Sequence, residues 1–171
     1  MATYLDRLID YDTWANQGLL DFLAGMPLET LDLTTAGVYG TIGETLEHLL
    51  SSEMGYTRRL TQAPLLGAPE RPEHPDLALL QSMATESAAR LVDLVDSLPE
   101  PATKIETRTG MRAAATILTQ LVMHGVEHRA HIGTILGANG IEPPDLDAWA
   151  HGIWVHGDDW PSDWGPEPES R

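Results

Sequence analysis

The chain of 171 residues contains no cysteine. A disulfide scaffold, a thiolate metal site and a cysteine nucleophile are therefore excluded, although the compartment stays open. Positive charge is equally scarce. Lys104 is the only lysine, the arginines are scattered, and 26 acids against 10 bases give a formal net charge of −16. Phosphate backbones need a clustered basic surface, so nucleic acid is not an expected partner. No apolar run approaches the roughly 20 residues that span a bilayer, so no membrane is expected either. The N-terminus is charged and helix-patterned from the start, unlike a signal peptide. Together these lacks lead to the expectation of a cytoplasmic protein whose residues 1–171 form one domain, with the acidity serving solubility.

Apolar residues, by contrast, recur at helical intervals along four segments. The first runs from Thr3 to Ala24, carries Leu5, Leu8, Ile9, Leu19, Leu20 and Leu23, and is stopped by Gly25 and Pro27. A second begins at Thr-Ile-Gly-Glu, a capping box with Thr41 as N-cap and Glu44 at N3. Its apolar stripe is Ile42, Leu46, Leu49, Leu50 and Leu60. Four prolines make residues 61–76 a loop. A third helix is expected from Leu77 to Leu98, closed by Pro99 and Pro101. A fourth is expected from about Met111 to Gly137, ending in Gly-Ala-Asn-Gly. Four amphipathic helices without a convincing strand predict an all-α four-helix bundle. The long connections between helices do not guarantee simple up-down order.

Beyond Pro144, residues 144–171 form a C-terminal extension: a short helix expected over Asp145–Val155, then an acidic tail. Four of the five tryptophans fall here, at Trp149, Trp154, Trp160 and Trp164. Disordered tails rarely carry so many aromatics, so the segment is expected to dock on the bundle or on a second copy.

Three of the seven histidines cluster in the fourth helix, at His124, His128 and His131. Four residues on a helix turn about 40° beyond a full circle, so His124 and His128 share a face. That face overlaps the stripe of Ile117, Leu121 and Ile135 and points inward. Such a pair suits two ligands of one metal ion, or equally two buried, hydrogen-bonded imidazoles. Gly125 follows His124 where a zinc protease needs glutamate, so that reading fails. No histidine has glutamate three residues before it, which excludes the carboxylate-bridged di-iron pattern. His48, set beside Thr45, Ser52 and Gly55 on the second helix, is the candidate third ligand or else an exposed helical histidine.

The arrangement resembles the DinB/YfiT-like helical bundles, some of which bind metal and act as thiol S-transferases. The resemblance rests on Tyr-Asp-Thr-Trp-Ala-Asn at Tyr11 to Asn16 and on His48 followed by Glu53. It ends with His124, His128 and Arg129, then Pro-Pro-Asp-Leu-Asp at Pro143 to Asp147. It implies that His48, His124 and His128 together hold one divalent metal. The family often has Gly-Gln where this chain has Ala130 and His131, which leaves His131 as fourth ligand, supporting group or filler. His151 and His156 are expected to be structural and His74 to lie at the surface.

Three neutral imidazoles leave a metal its full charge and an open position, the catalytic type of site. Zinc or nickel suit such ligands. The resemblance then implies a transferase of detoxification or stress type. It would act on an electrophile with a small-molecule thiol such as bacillithiol or mycothiol, since the chain has no thiol of its own. Two alternatives use the same residues: a metal-dependent hydrolase, and a non-catalytic metal-binding bundle in which the tail mediates a homodimer. Glu53 and Arg129 are expected either to orient a ligand or to form an ion pair between helices.

Overall fold

A computed structural model describes residues 2–61 and 75–161. Residues 62–74 of the proline-rich loop, His74 among them, and Trp164 lie outside the described residues. Four long helices dominate: α1 (Tyr4–Ala24), α2 (Ile42–Thr61), α3 (Leu77–Ser97) and α4 (Ala114–Ala138). Each starts on local chemistry. Thr3 and Asp6 form a capping box on α1. On α2 the predicted box is present: the Glu44 amide donates to Thr41 Oγ1 at 3.1 Å and the Thr41 amide to Glu44 Oε2 at 2.8 Å. Asp76 caps α3 through the Leu79 amide at 2.8 Å.

The fourth helix starts three residues later than the sequence pattern predicts, because residues 104–113 form a hairpin of β1 (Lys104–Thr107) and β2 (Gly110–Ala113). Gly110, at φ +107°, closes the two-residue turn in a conformation that L side chains rarely adopt. Four-residue strands are too short to show a period of two, which is why this link reads as irregular in sequence. The hairpin substitutes for a missing cap: the Ala114 and Ala115 amides donate to the Thr103 and Pro101 carbonyls at 2.9 and 3.1 Å.

Helix α2 packs on both α3 and α4, and α1 packs on those same two helices. Helices α1 and α2, consecutive in the chain, therefore stand on opposite corners of the bundle. The long connection over residues 25–41, which includes a 3₁₀ turn at Leu28–Asp32, spans that diagonal.

The apolar core falls into two clusters. One gathers around Leu20, Leu46, Leu50, Leu80 and Ile135, and the other around Ile9, Leu60, Leu91, Leu94 and Leu121. Leu8, expected on the stripe of α1, is instead 48% exposed. Between the two clusters every helix turns polar residues inward: Asp12 and Asn16, then Glu53 and Thr57, then Ser87, then His124, His128 and Arg129, all buried. A buried polar layer is costly unless its members satisfy one another. Its position across the middle of the bundle places the candidate site.

The described part of the C-terminal extension does pack on the bundle. Tyr11 Oη donates to the Leu146 carbonyl at 3.1 Å. Gly18 leaves room for this docking, since a Cβ there would lie 2.8 Å from Leu146 Cδ2. A short helix α5 (Ala148–His151), capped by Asp147, runs into a π-helical turn at Gly152–His156. His151 is buried against the Tyr11 and Trp14 rings of α1. Trp154 and Trp160 pack edge to face at 6.1 Å, whereas Trp149 is 71% exposed. No described helix is long and apolar enough to cross a membrane.

Candidate metal centre

Helix spacing puts His124 and His128 one turn apart on the inner face of α4, and α2 brings His48 opposite them. His124 Nε2 lies 3.2 Å from His48 Nε2 and 3.1 Å from His128 Nε2. His124 and His128 are buried and His48 is half-buried. The three candidate ligand nitrogens lie within 4.8 Å of one another.

One sp² nitrogen carries either one hydrogen or one lone pair. His124 Nε2 can therefore form one well-aligned hydrogen bond, not two, and among three converging nitrogens at least two must present like groups, either two lone pairs or two N–H, to one another. A cation resolves that conflict. Four ligands at ~2.0–2.1 Å around a tetrahedral ion stand roughly 3.3–3.4 Å apart, close to the spacings here. The donor set fits a divalent transition ion.

Electrostatics favours the neutral, ligating form. Burial, reinforced by His128 and His48, pushes His124 down to about 4, with Asp12 opposing. Burial first, then His48 and His131, also lowers His128. Two tyrosines that the sequence pattern does not single out frame the rings. Tyr39, from the segment before α2, stacks on His48 at 4.2 Å and meets His128 edge-on at 5.2 Å. Tyr56 meets His124 edge-on at 5.7 Å. His131 sits outside the group of converging nitrogens, its ring 5.4 Å from that of His128.

Behind the histidines runs the polar layer. Arg129 Nη1 is 2.8 Å from Asp12 Oδ1 and donates to Asn16 Oδ1 at 2.7 Å. Asn16 Nδ2 in turn donates to Glu53 Oε1 at 3.1 Å, and Ser87 Oγ donates to Glu53 Oε2 at 2.5 Å. Glu53 and Arg129 are thus joined through Asn16, and the ion pair is made by Asp12. Gly125 is part of the same arrangement, because a Cβ there would fall 2.6 Å from Asp12 Oδ1. Sequence reasoning missed Asp12, Asn16 as a linker, and Ser87. A signal for them existed: the apolar stripes lapse between Ile9 and Leu19, Leu50 and Leu60, Met83 and Leu91, and Leu121 and Ile132. A cavity of about 20 Å³, lined by Asn16, Glu53 and Leu91 among others, borders this layer. That is room for about one water molecule.

Burial first, then Asp12, raises the pKa of Glu53 well above the usual carboxylate range, with Ser87 and Arg129 opposing. A carboxyl with a raised folded-state pKa contributes stability fully below its unfolded value, and that contribution fades as pH rises through the folded value. Glu53→Gln, a shape-matched substitute for the neutral acid, is therefore expected to leave stability nearly unchanged at pH 5 and to exceed wild type at pH 8. Urea unfolding at the two pH values checks this; a larger loss at pH 8 than at pH 5 would refute it.

The model of the DinB family matches residues 1–156. The chain belongs to the DinB family. Among its DinB relatives, it is 22% identical over 159 residues to Protein DinB of Bacillus subtilis (strain 168), with 86% of this chain and 92% of that protein covered. The crystal structure of a DinB-like protein from Bacillus cereus ATCC 10987 superposes with a TM-score of 0.62 at 17% identity. That match covers 79% of this chain and 90% of the other, a likeness of fold. In this DinB-family bundle the three histidines form the candidate metal site.

Proposed function

We propose that this DinB-family protein holds one divalent metal, zinc or nickel, on His48, His124 and His128, and acts as a metal-dependent thiol S-transferase in detoxification or stress response. One observation carries the reading: three imidazole nitrogens converge at 3.1–3.2 Å spacings in a half-buried pocket that keeps His124 and His128 neutral. When bound, such a cation supplies Lewis acidity that lowers the pKa of a thiol or water in its open position. The remaining work belongs to the chain. Tyr39 holds the His48 ring plane by stacking. The layer of Arg129, Asp12, Asn16 and Glu53 fixes the rotation of α4 against α1 and α2, and so the aim of His124 and His128.

The thiol is a small molecule, because the chain has no cysteine, and the family resemblance suggests the bacillithiol or mycothiol kind. An electrophile is the second substrate. A homodimer belongs to the same reading, supported by the exposed Trp149. The test is metal analysis of purified protein, then a screen of bacillithiol, mycothiol, coenzyme A and glutathione with a chromogenic electrophile. The expected result is metal-dependent turnover with one of these thiols that His48→Ala abolishes. Turnover of an ester or amide without thiol would point to hydrolysis instead. Metal-loaded protein inactive in both assays would leave a non-catalytic metal-binding bundle.

A further inference from the structure

A second cluster of ligand-type side chains lies away from the three-histidine centre, where the C-terminal extension meets α1. Asp10 stands on α1, His151 is the last residue of α5, and His156 is the last residue of the π-turn that follows it. Asp10 Oδ2 is 3.4 Å from His151 Nε2 and 3.6 Å from His156 Nε2, and the three atoms lie within 4.8 Å of one another. The two imidazoles meet edge to face with centroids 4.7 Å apart.

The His151 side chain is only 5% exposed, and its Nε2 is buried without a hydrogen-bond partner. At 3.4 Å the Asp10 oxygen is near but not aligned to receive a proton from it. An orphaned buried nitrogen aimed at a carboxylate and a second imidazole is the arrangement that a cation completes.

The geometry points to a second divalent transition-metal site formed by Asp10, His151 and His156. Its spacings of 3.4 and 3.6 Å approach the roughly 3.3–3.4 Å edge of a tetrahedral zinc site. Two imidazoles with one carboxylate select a late first-row ion over calcium or magnesium, which take oxygen ligands. Asp10 and His156 are partly exposed, so the cation can enter from solvent and keep a water. Bound there, it ties the extension to α1 with coordinate bonds, and His151 gains the partner it lacks.

Arg7 is the competitor. Its Nη1 lies 3.2 Å from His156 Nδ1, 3.4 Å from His156 Nε2 and 3.9 Å from Asp10 Oδ2. The guanidinium thus supplies the positive charge at this cluster when no ion is there. Because Arg7 is 55% exposed, it swings into water at small cost when an ion arrives. Removing it leaves Asp10 and both histidines in place and should favour the metal.

Titration of the full-length protein with zinc against a chromophoric chelator tests the site, with cobalt absorption as a second readout of coordination. Wild type is expected to take two equivalents and His124→Ala one. His156→Ala, imposed on His124→Ala, should weaken the remaining site at least about 100-fold, beyond the effect of losing an outer-shell partner. Arg7→Ala in the same background should tighten it several-fold. Asp10→Asn, a shape-conserving change on the surface of α1, gives the same reading as His156→Ala should that variant fold poorly. Failure of the two sites is distinguishable. One equivalent that survives His124→Ala but not His156→Ala would support this site and overturn the three-histidine one. One equivalent lost in His124→Ala and untouched by His156→Ala and Asp10→Asn would overturn the site at Asp10.

Discussion

His124→Ala is expected to abolish metal binding at the three-histidine centre, with a loss of affinity of at least about 100-fold. His124 is the middle member of the candidate set: its Nε2 makes both of the 3.1–3.2 Å contacts that gather the three rings. At a zinc concentration of 1,000 times Kd a bound ion stabilises the fold by about 4 kcal/mol. That corresponds to roughly 8–16 °C in melting temperature for a domain of this size. The variant should lose that increment while keeping its helical content. A second signature appears in metal-free protein. Burial holds His124 at about 4 in the folded state, whereas an unfolded histidine titrates near 6.5. Between these values the unfolded chain binds a proton that the folded chain refuses, so stability falls as pH drops from ~6.5 towards 4. At about 1.4 kcal/mol per unit, His124 alone accounts for up to about 3 kcal/mol. His128 and His151, also lowered by burial, act in the same direction, so the comparison of wild type with His124→Ala isolates the one residue. Urea unfolding in chelator at pH 7 and pH 5 should show a shallower pH dependence in the variant. Equal slopes would refute the electrostatic reading, and equal metal content would refute the ligand assignment.

Arg129→Met is expected to be the most damaging single change in the polar layer. Arg129 is buried, and it is the only cation within ion-pair distance of the fully buried Asp12 among the described residues. Removing one partner of a buried pair strands the other charge and costs about 3–5 kcal/mol. For this chain length that is roughly 6–20 °C in melting temperature. The loss should be larger than that of Asp12→Asn, which leaves Arg129 the Asn16 carbonyl as partner. Combining the two changes should recover part of the stability, because no unpaired charge then remains. A double-mutant cycle that proves additive would mean that Asp12 and Arg129 do not act on each other. The same variant should weaken zinc binding, since Arg129 follows His128 on α4 and anchors that face to α1.

The four helices and the cap of α2 are legible in the sequence because they depend on neighbours in the chain. Apolar residues three and four apart define a helical stripe whatever they pack against, and Thr41 and Glu44 meet within one turn. For the same reason the sequence by itself puts His124 and His128 on one face of α4 and excludes the protease and di-iron patterns by spacing. It also excludes any thiol chemistry of the chain's own. What spacing cannot supply is distance between segments. Only the tertiary structure decides that His48 meets His124 across 76 residues, that Tyr39 covers it, and that His131 stays outside. The hairpin before α4 is likewise settled by pairing, since its strands are too short to carry a pattern of their own. Asp12, Asn16 and Ser87 read as separate polar residues, and Glu53 and Arg129 as an ion pair or ligand-orienting groups, until the bundle stacks all five into one layer. Asp10 precedes His151 by 141 residues and His156 by 146, and the two histidines read only as structural until the extension folds back on α1. In each case the deciding energy is the burial of polar groups, which depends on what the fold brings alongside and not on what precedes them in the chain.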